Sequence, residues 1–382
     1  MRHHSYNKEF QFVREPENFN KYTDREFLQY CLGGTLYMPG TKDIRDKVLN
    51  HQLDVTSFVM DMEDACAEEK LGEAADNILS TMDFFADKIE EGVLTIDDIP
   101  LIFVRVRNVE QFKDFVSKMT SRQAHVLTGF NFPKFCSENA FEYLYTLDAT
   151  SKRLGELLYG MPILEGKEVA YREGRTRELL LIYNILRPFR HMILNVRVGG
   201  TDMSSIFGVR RDINTSIYDI ITVRDALSDI LNLFIRNGEY VVSGAVWEYF
   251  LAYKEDDIND LIKQNFYHSL LKGKAIVNEA IDGLLHEVVL DKANGFVGKT
   301  IIHPSHVRFV NAMFSVVEEE YLDAKQILDT SGGVIKSKAG NKMNEINPHR
   351  NWANKIMNRA RAYGVVKSEN SILELVLGKT EV

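Results

Sequence analysis

The chain of 382 residues has little of several features that would place it in a specialised class. Its 3 cysteines, Cys31, Cys66 and Cys136, are widely spaced and odd in number, which excludes a disulfide scaffold and predicts a reducing compartment. No apolar run reaches transmembrane length, and the polar N-terminal stretch has no signal-peptide core. We therefore expect a cytoplasmic protein without a membrane partner.

The charge distribution and the missing glycine motifs exclude further classes. The net charge is −9 and lysine and arginine form no large cluster, which argues against a nucleic-acid partner and favours a small molecule. The dinucleotide fingerprint G-x-G-x-x-G is absent. Residues 295–300 are similar to the end of a phosphate-binding loop, but the required earlier glycine is Ala293 and a strand follows where a helix is needed. The sequence therefore predicts neither nucleotide site.

What the chain does contain is a repeated alternation of apolar, β-rich runs with segments of helical spacing. The predicted strands are residues 35–38, 57–61, 101–106, 128–133, 160–165, 193–199, 239–246 and 299–303. The predicted helices between and after them include residues 70–90, 109–119, 137–154, 172–186, 222–237, 257–287 and 316–328. Eight such units favour an α/β fold of the (β/α)₈ TIM-barrel type over a doubly wound open sheet.

The segments that flank the predicted barrel define three regions. Residues 1–32 form an N-terminal extension that packs across the barrel or a neighbour, and residues 33–328 form the barrel domain. Residues 329–382 are interpreted as a C-terminal helical lid or oligomerisation segment, with a turn at 331–333, a polar loop at 336–350 and a helical tail from Trp352 onward.

Two acidic residues stand at the ends of successive predicted strands. Glu165 ends the run MPILE, and Asp202 follows the run ILNVRVGGT. An aspartate in such a place often caps the following helix, and this interpretation stays open for Asp202. Because the carboxyl ends of barrel strands meet at one rim, Glu165 and Asp202 together predict a site for Mg²⁺, which is commonly held by one or two carboxylates plus water and substrate oxygens.

The second and third predicted strands bring acids and arginines to the same rim. Asp61, Glu63 and Asp64 follow strand two, and they would repel one another unless a cation or arginine shares them. Arg105 and Arg107 are two residues apart in strand three, so both would face the barrel axis, where they could pair with these acids and bind a substrate carboxylate. The alternatives are helix capping by Asp61 or Asp64, and a shifted strand with outward arginines.

Lys134 follows strand four and adds a further cation, either at the substrate or in a solvated loop.

Together these residues resemble a known family. The resemblance rests on Asp61, Glu63 and Asp64 with Lys70, on Arg105, on Pro133 before Lys134, on Glu165, on Gly199 with Asp202 and Gly208, and on residues 298–304. The chain is similar to the citrate lyase beta-subunit and malyl-CoA lyase group of the HpcH/HpaI aldolase superfamily of TIM barrels. Its extended stretch around Asp202 is similar to a divergent branch of predicted C–C bond lyases linked with stress-response and tellurium-resistance gene clusters.

The resemblance implies a set of roles. A Mg²⁺ or Mn²⁺ ion would be bound by Glu165 and Asp202, and Arg105 would contact substrate oxygens. We also expect contacts to the substrate from Lys134, Gly199, Gly200 and Thr201, and from Arg107, which stands where the family has an asparagine. The family implies a homo-oligomer, often a trimer or hexamer, in which a lid carboxylate reaches an adjacent subunit, and Glu345 is the matching residue here. A CoA thioester substrate is implied by some relatives, but the Arg-Ser pair that helps to hold CoA is replaced by Gly33-Gly34.

The expected reaction is cleavage or formation of a carbon–carbon bond next to a carbonyl in a small 2-oxo or hydroxy acid. Such a reaction produces an enolate, whose negative charge a metal and Arg105 would stabilise. Glu63 and Asp64 would orient the arginines or metal-bound water, and Glu345 or such a water would act as the base. The rival interpretations are a thioester hydrolase or phosphate-transferring enzyme on the same barrel, and a non-enzymic barrel that binds a metabolite.

Overall fold

The computed structural model of the protein describes residues 1–250, 279–338, 340 and 342–377. Eight parallel strands form one sheet in the order β7-β6-β5-β4-β3-β2-β1-β8. They are β1 (Gly34–Pro39), β2 (Ser57–Asp61), β3 (Leu101–Arg105), β4 (Gly129–Phe132), β5 (Tyr159–Leu164), β6 (Val196–Val198), β7 (Val242–Ser243) and β8 (Lys299–Ile301). A parallel bridge between Gly244 and Lys299 joins the two edges. The predicted TIM barrel is therefore confirmed.

The helices of the described part alternate with the strands. The first ten are α1 (Arg25–Leu28), α2 (Arg45–Leu49), α3 (Leu71–Glu90), α4 (Val109–Lys118), α5 (Ser121–Val126), α6 (Ser137–Leu154), α7 (Lys167–Ala170), α8 (Arg172–Leu186), α9 (Gly200–Ile206) and α10 (Ile221–Phe234). They are followed by α11 (Glu279–Asn294), α12 (His306–Phe314), α13 (Glu318–Asp329), α14 (Ile346–Tyr363) and α15 (Asn370–Leu377). Short 3₁₀ turns lie at Glu68–Lys70, Ile96–Asp98, Arg187–Met192, Ile217–Asp219 and Arg236–Gly238. Additional short strands are β9 (Val316–Val317), β10 (Val334–Lys336), β11 (Met343–Glu345) and β12 (Val365–Val366).

The predicted elements agree with the structure most closely in the first half of the chain. The helices predicted at 137–154 and 172–186 have these bounds in the structure. The strands predicted at 193–199, 239–246 and 299–303 are all present but shorter. Much of the helix predicted at 257–287 lies outside the described residues, and the helix that is described there, α11, continues beyond Glu287 to Asn294.

The barrel wall is held by apolar packing between strands and helices. Helix α4 shows how the sequence sets this up: Asn108 caps its start by accepting a hydrogen bond from the backbone N–H of Gln111, and Phe112 is fully buried on its inner face. The Phe112 ring packs edge-on against Phe130 of β4 at 4.9 Å between centroids. Such packing fixes the strands, and therefore the side chains at their ends, to within narrow limits.

The N-terminal extension closes the end of the barrel where the strands begin. Lys21 donates from Nζ to the carbonyl oxygen of Ala124, before β4, at 2.6 Å. Arg25 is buried and donates from Nε to the carbonyl oxygen of Ile193, before β6, at 2.7 Å. Since these carbonyls precede their strands, the extension covers the face of the barrel opposite to the predicted catalytic rim.

The C-terminal helices pack at the same end as the extension. Val365 pairs with Val316, directly after α12, and also bridges to Arg14 of the extension. Helices α13 and α14 share a separate small core with β9 and β12, composed of Val316, Ala324, Ile327, Ile346, Ala353, Ile356, Ala360 and Val365. The C-terminal region is helical as predicted, but within one chain α14 and β12 lie at the end of the barrel opposite to the rim.

The predicted polar loop at 336–350 is wrong in part. Strand β11 pairs antiparallel with β10, and α14 begins at Ile346, six residues before the predicted Trp352. Two local features explain the earlier start. The ring nitrogen Nδ1 of His349 accepts a hydrogen bond from the backbone N–H of Glu345, and Pro348 stands in the first turn, where a missing N–H costs nothing.

Replacing Arg25 with alanine is expected to destabilise the barrel. The substitution removes the donors of two backbone carbonyls, those of Ile193 and Glu239, and leaves the buried one without a partner. We expect a loss of about 2–3 kcal/mol in the free energy of unfolding, measured by urea denaturation. The matched control is Arg45→Ala, because Arg45 forms only a local ion pair with Asp43 on the surface, and its loss should change stability by less than about 0.5 kcal/mol. Equal stability of Arg25→Ala and Arg45→Ala would contradict the proposed anchoring by the extension.

Candidate active site

A cavity opens at the carboxyl ends of the barrel strands. Its volume is about 440 Å³. Its charged and polar lining residues are Tyr37, Asp61, Asp64, Arg105, Glu165, Arg197, Thr201, Asp202 and Thr300. The strands thus bring Glu165, Asp202 and Arg105, which are far apart in the sequence, to one place.

Glu165 follows β5 and is held in the interior by its neighbours. Its Oε1 atom accepts a hydrogen bond from the backbone N–H of Lys134 at 2.8 Å. A methyl group on Gly199 would lie only 2.1 Å from the Oε2 atom of Glu165, so only glycine fits at residue 199. Gly199 of the sequence motif therefore leaves room for the Glu165 carboxylate. Its role is in packing and not in forming a turn.

The negative charge of Asp202 acts on Glu165. Burial, together with the negative charge of Asp202, raises the pKa of Glu165 to about 8. Burial and the negative charge of Asp64 raise the pKa of Asp202 from its ordinary value. Asp202 lies in the first turn of α9, where the helix dipole favours a negative charge. The two carboxylates therefore form a pair that is short of positive charge.

Arg105 is fixed by the acids of β2, as the spacing of the sequence predicts. Its Nε and Nη2 atoms each donate to a different oxygen of Asp61, at 2.6 Å. Asp61 also accepts hydrogen bonds from the backbone N–H groups of Glu63 and Ala65, so it both caps the following turn and binds the arginine. The remaining Nη1 atom donates to Asp64 at 3.1 Å. One edge of the guanidinium is thus occupied by Asp61.

Glu63 and Lys134 form a second layer beside Arg105. The Nζ atom of Lys134 is paired with the Oε1 atom of Glu63, and the Oε2 atom of Glu63 lies 2.9 Å from Nη1 of Arg105. Lys134 has a φ of 48°, which is rare for a residue with a side chain and costs on the order of 1 kcal/mol or more. This backbone geometry allows its N–H to reach Glu165 while its side chain reaches Glu63.

Some predicted residues lie outside the cavity lining. Arg107 donates to the carbonyl oxygen of Cys66 at 2.7 Å, because β3 ends at Arg105 and the two-residue alternation does not continue to residue 107. Gly200 packs against Ala245 and Ile217. Glu345 lies exposed at the end of β11, so within one chain it is not part of this site.

Thr201 and Gly199 do line the cavity, and Thr201 donates to Glu248 at 2.7 Å.

Sequence reasoning missed Arg197, Tyr37 and Thr300. Arg197 in β6 is buried and lines the cavity, and it donates to Thr300 Oγ1 at 2.7 Å. The signal was present, because Arg197 interrupts an apolar strand as Arg105 does. Tyr37 gave no such signal, since an aromatic residue in a strand normally packs in the core.

The donor set fits a hard divalent cation. Glu165 is buried and Asp202 is half-buried, and the pKa of each is raised. Such carboxylates are groups that Mg²⁺ or Mn²⁺ would stabilise, and Mg²⁺ usually keeps water or substrate as its other ligands. Among the described residues no group of three or more His, Cys, Asp and Glu side chains forms a metal site. Within the described part of the chain, Glu165 and Asp202 would therefore be the protein ligands, and the other positions would remain open for water and substrate.

Comparison with solved structures finds similar barrels. CitE from Mycobacterium tuberculosis, in complex with magnesium, acetoacetate and coenzyme A, aligns with a TM-score of 0.53 and 16% identity over 87% of this chain and 99% of that one. RipC from Yersinia pestis aligns with a TM-score of 0.48 and 13% identity over 75% and 96% of the two chains. At this level of identity the CitE alignment supports the fold alone. A search of the curated proteins found no significant match.

The family assignment comes from the sequence as a whole. The family described as C–C bond lyase of the TIM-barrel fold matches residues 26–365, which span the barrel and the helical hairpin of α13 and α14. The match agrees with the fold described above and with the expected class of enzyme, a carbon–carbon lyase. The protein therefore belongs to the family of C–C bond lyases of the TIM-barrel fold.

Proposed function

We propose that the protein is a Mg²⁺-dependent carbon–carbon lyase that cleaves or forms a bond next to a carbonyl in a small 2-oxo or hydroxy acid. The observation that carries the proposal is the pair Glu165 and Asp202, a buried and a half-buried carboxylate with raised pKa that share one cavity with Arg105. The CitE structure with magnesium and acetoacetate shows that a related barrel binds such ligands, and this supports the same ligand class here.

The reaction requires stabilisation of an enolate oxygen. When bound by Glu165 and Asp202, Mg²⁺ would supply Lewis acidity toward the carbonyl or hydroxyl oxygen of the substrate. Arg105 lines the same cavity, where its Nε and Nη2 atoms are bonded to Asp61 and its Nη1 atom is bonded to Asp64. We assign Arg105 to the oxygen that gains negative charge.

Asp61, Glu63 and Lys134 act as positioning residues in this proposal. The bidentate bond to Asp61 fixes the plane of the Arg105 guanidinium, which a lysine could not reproduce. Lys134 connects the two halves of the site, because it contacts Glu63 with its side chain and Glu165 with its backbone. Asp64 lines the cavity, and although burial raises its pKa, Arg105, Glu63 and Lys134 together lower it below its ordinary value. It is placed to orient water or substrate.

The proposal favours a free organic acid over an acyl-CoA. Gly33 and Gly34 stand at the start of β1, where the backbone N–H of Gly34 donates to Asn311 at 2.8 Å, at the end of the barrel opposite to the cavity. They offer no replacement for the CoA contacts of relatives. Glu345 would contribute only from a neighbouring subunit, which requires the trimer or hexamer that the resemblance implies.

The direct test is a thermal-shift screen followed by product analysis. The protein is screened against 2-oxo acids, hydroxy acids and acyl-CoA compounds, with and without Mg²⁺. We expect Mg²⁺-dependent stabilisation by a 2-oxo or hydroxy acid, and products with a broken carbon skeleton. Products with the skeleton intact would favour a hydrolase on the same barrel, and the absence of any Mg²⁺-dependent ligand would contradict the proposal.

Asp202→Asn and Glu165→Gln should abolish Mg²⁺ binding while the barrel stays folded. Each variant removes one of the two proposed ligands and also relieves the repulsion between them, so the metal-free variants should be at least as stable as the wild type. Isothermal titration gives the Mg²⁺ affinity, and circular dichroism checks the fold. Glu110→Gln is the control, because Glu110 is an exposed carboxylate on α4 and should bind no metal. Unchanged Mg²⁺ affinity in both site variants would remove the metal assignment.

Gly199→Ala should weaken Mg²⁺ binding, although it adds only one methyl group. The added methyl group would collide with the Glu165 carboxylate and move it, so we expect the Mg²⁺ affinity to fall at least about tenfold. Gly174→Ala in α8 is the matched control, since a methyl group there meets nothing within 4 Å and should leave the affinity unchanged. Wild-type Mg²⁺ affinity in Gly199→Ala would show that Glu165 does not need its present position.

The metal-free protein should lose stability as the pH rises toward 8. Glu165 keeps its proton in the fold up to a pKa of about 8, whereas its ordinary value is 4.5. Between these two values the unfolded chain binds fewer protons than the folded one, so the free energy of unfolding falls as the pH increases and levels off above 8. Chemical denaturation from pH 5 to 9 should show that Glu165→Gln removes this slope, and that Mg²⁺ affinity of the wild type rises over the same window. A wild-type profile identical to that of Glu165→Gln would contradict the assigned ionisation.

A further inference from the structure

Arg197 is a buried guanidinium without an acidic partner among the described residues. Its side chain lines the cavity, and the residue is only 1% exposed. Its Nη2 atom donates to Thr300 Oγ1 at 2.7 Å, and its Nη1 atom lies 3.5 Å from Thr35 Oγ1. Its Nε atom is buried and has no hydrogen-bond partner in the described part of the chain. The partners that do exist are hydroxyl groups and carry no negative charge.

Four other buried arginines of the described residues are paired with a carboxylate, among them Arg105 with Asp61 at 2.6 Å and Arg175 with Asp229 at 3.0 Å. A fifth, Arg359, donates to the backbone carbonyl oxygen of Phe314. Such arrangements are expected, because an isolated charge in a protein interior is costly. Arg197 differs from these arginines, because its hydrogen-bond acceptors among the described residues are hydroxyl groups.

The surroundings of Arg197 increase its need for an anion. The ring of Tyr37 lies between two cations, with its centre 5.4 Å from the Arg105 guanidinium and 5.5 Å from that of Arg197. The aromatic face offers partial compensation to both. The nearby charge of Arg105 and, above all, burial lower the pKa of Arg197 from its ordinary value. Arg105 has its own acids, whereas Arg197 has no acidic partner in the part of the chain that the structure describes.

We propose that Arg197 binds a second carboxylate of the substrate, so that the substrate class is a short diacid with its reacting end at Glu165 and Asp202. The inference rests on the function proposed above. Arg197 and Gly199 both line the cavity, and Gly199 lies against Glu165. At about 3.3 Å per residue, the backbone of Arg197 lies roughly 7 Å deeper in the barrel than that of Gly199. A short carbon chain spans this separation.

The test compares two acids that differ by one carboxylate. Oxaloacetate and pyruvate share the 2-oxo acid group, and only oxaloacetate carries a second carboxylate. In the presence of Mg²⁺, isothermal titration of the wild type should show at least tenfold tighter binding of oxaloacetate, as expected for a charge-assisted hydrogen bond. In Arg197→Met, which keeps the volume and removes the charge, the affinity ratio should fall to about one. An unchanged ratio in the variant, or no preference in the wild type, would overturn the inference.

A control variant separates ligand binding from a structural role. Arg175→Met is the same substitution at an equally buried arginine whose Nε and Nη2 atoms donate to the backbone carbonyls of Val169 and Ala170. It should lower the melting temperature and leave the affinity ratio unchanged. Arg197→Met should keep or raise the melting temperature of the ligand-free protein, because it removes an uncompensated charge. A large loss of stability in Arg197→Met together with an unchanged ratio would assign Arg197 to structure.

A measurement without metal tests the carboxylate subsite at Arg197 separately from the lyase proposal. If neither acid binds the wild type with Mg²⁺, the reaction proposed above is contradicted. The subsite is then decided by propionate, a single carboxylate that needs no metal, in a thermal-shift titration at millimolar concentrations. Stabilisation of the wild type that is lost in Arg197→Met supports the carboxylate subsite on its own. No stabilisation of the wild type by propionate overturns it.

Discussion

The feature on which the site depends is the placement of Glu165 and Asp202 in one cavity. Burial raises the pKa of both carboxylates, and the charge of Asp202 adds to the effect on Glu165, so charging both without a cation is costly. The fold maintains the arrangement through Gly199, which leaves room for the Glu165 carboxylate, and through the backbone of Lys134, which holds one of its oxygens. A divalent cation is the simplest group that would balance this charge.

The cations of the cavity divide into two groups with different tasks. Arg105 is bonded to Asp61 and Asp64, and Lys134 is paired with Glu63, so the orientation of both cations is fixed before any ligand binds. Fixed orientation reduces the reorganisation that a developing negative charge would otherwise require. The hydrogen-bond acceptors of Arg197 in the described chain are hydroxyl groups, so its positive charge remains available to bind an anionic ligand. This division links the electrostatics of the site to the choice of substrate.

The two ends of the barrel serve separate purposes. The N-terminal extension, α14 and β12 form a layer at the end where the strands begin, held by hydrogen bonds such as that from Arg25 to Ile193. The other end carries the cavity. Because stability is supplied largely from one end and chemistry from the other, substitutions at the cavity can change ligand binding without unfolding the chain.

The sequence by itself determined the barrel, the family and most of the cavity. The alternation of strands and helices is local, and Glu165, Asp202, Arg105 and Asp64 follow strands whose carboxyl ends must meet in a closed parallel sheet. The tertiary structure alone decided how these side chains are bonded. It showed that Asp61 occupies one edge of Arg105, and that Arg107 turns to Cys66 because β3 ends two residues earlier. It also placed α14 at the far end of the barrel and showed Arg197 without an acid among the described residues, since pairing and burial depend on neighbours that are distant in the sequence.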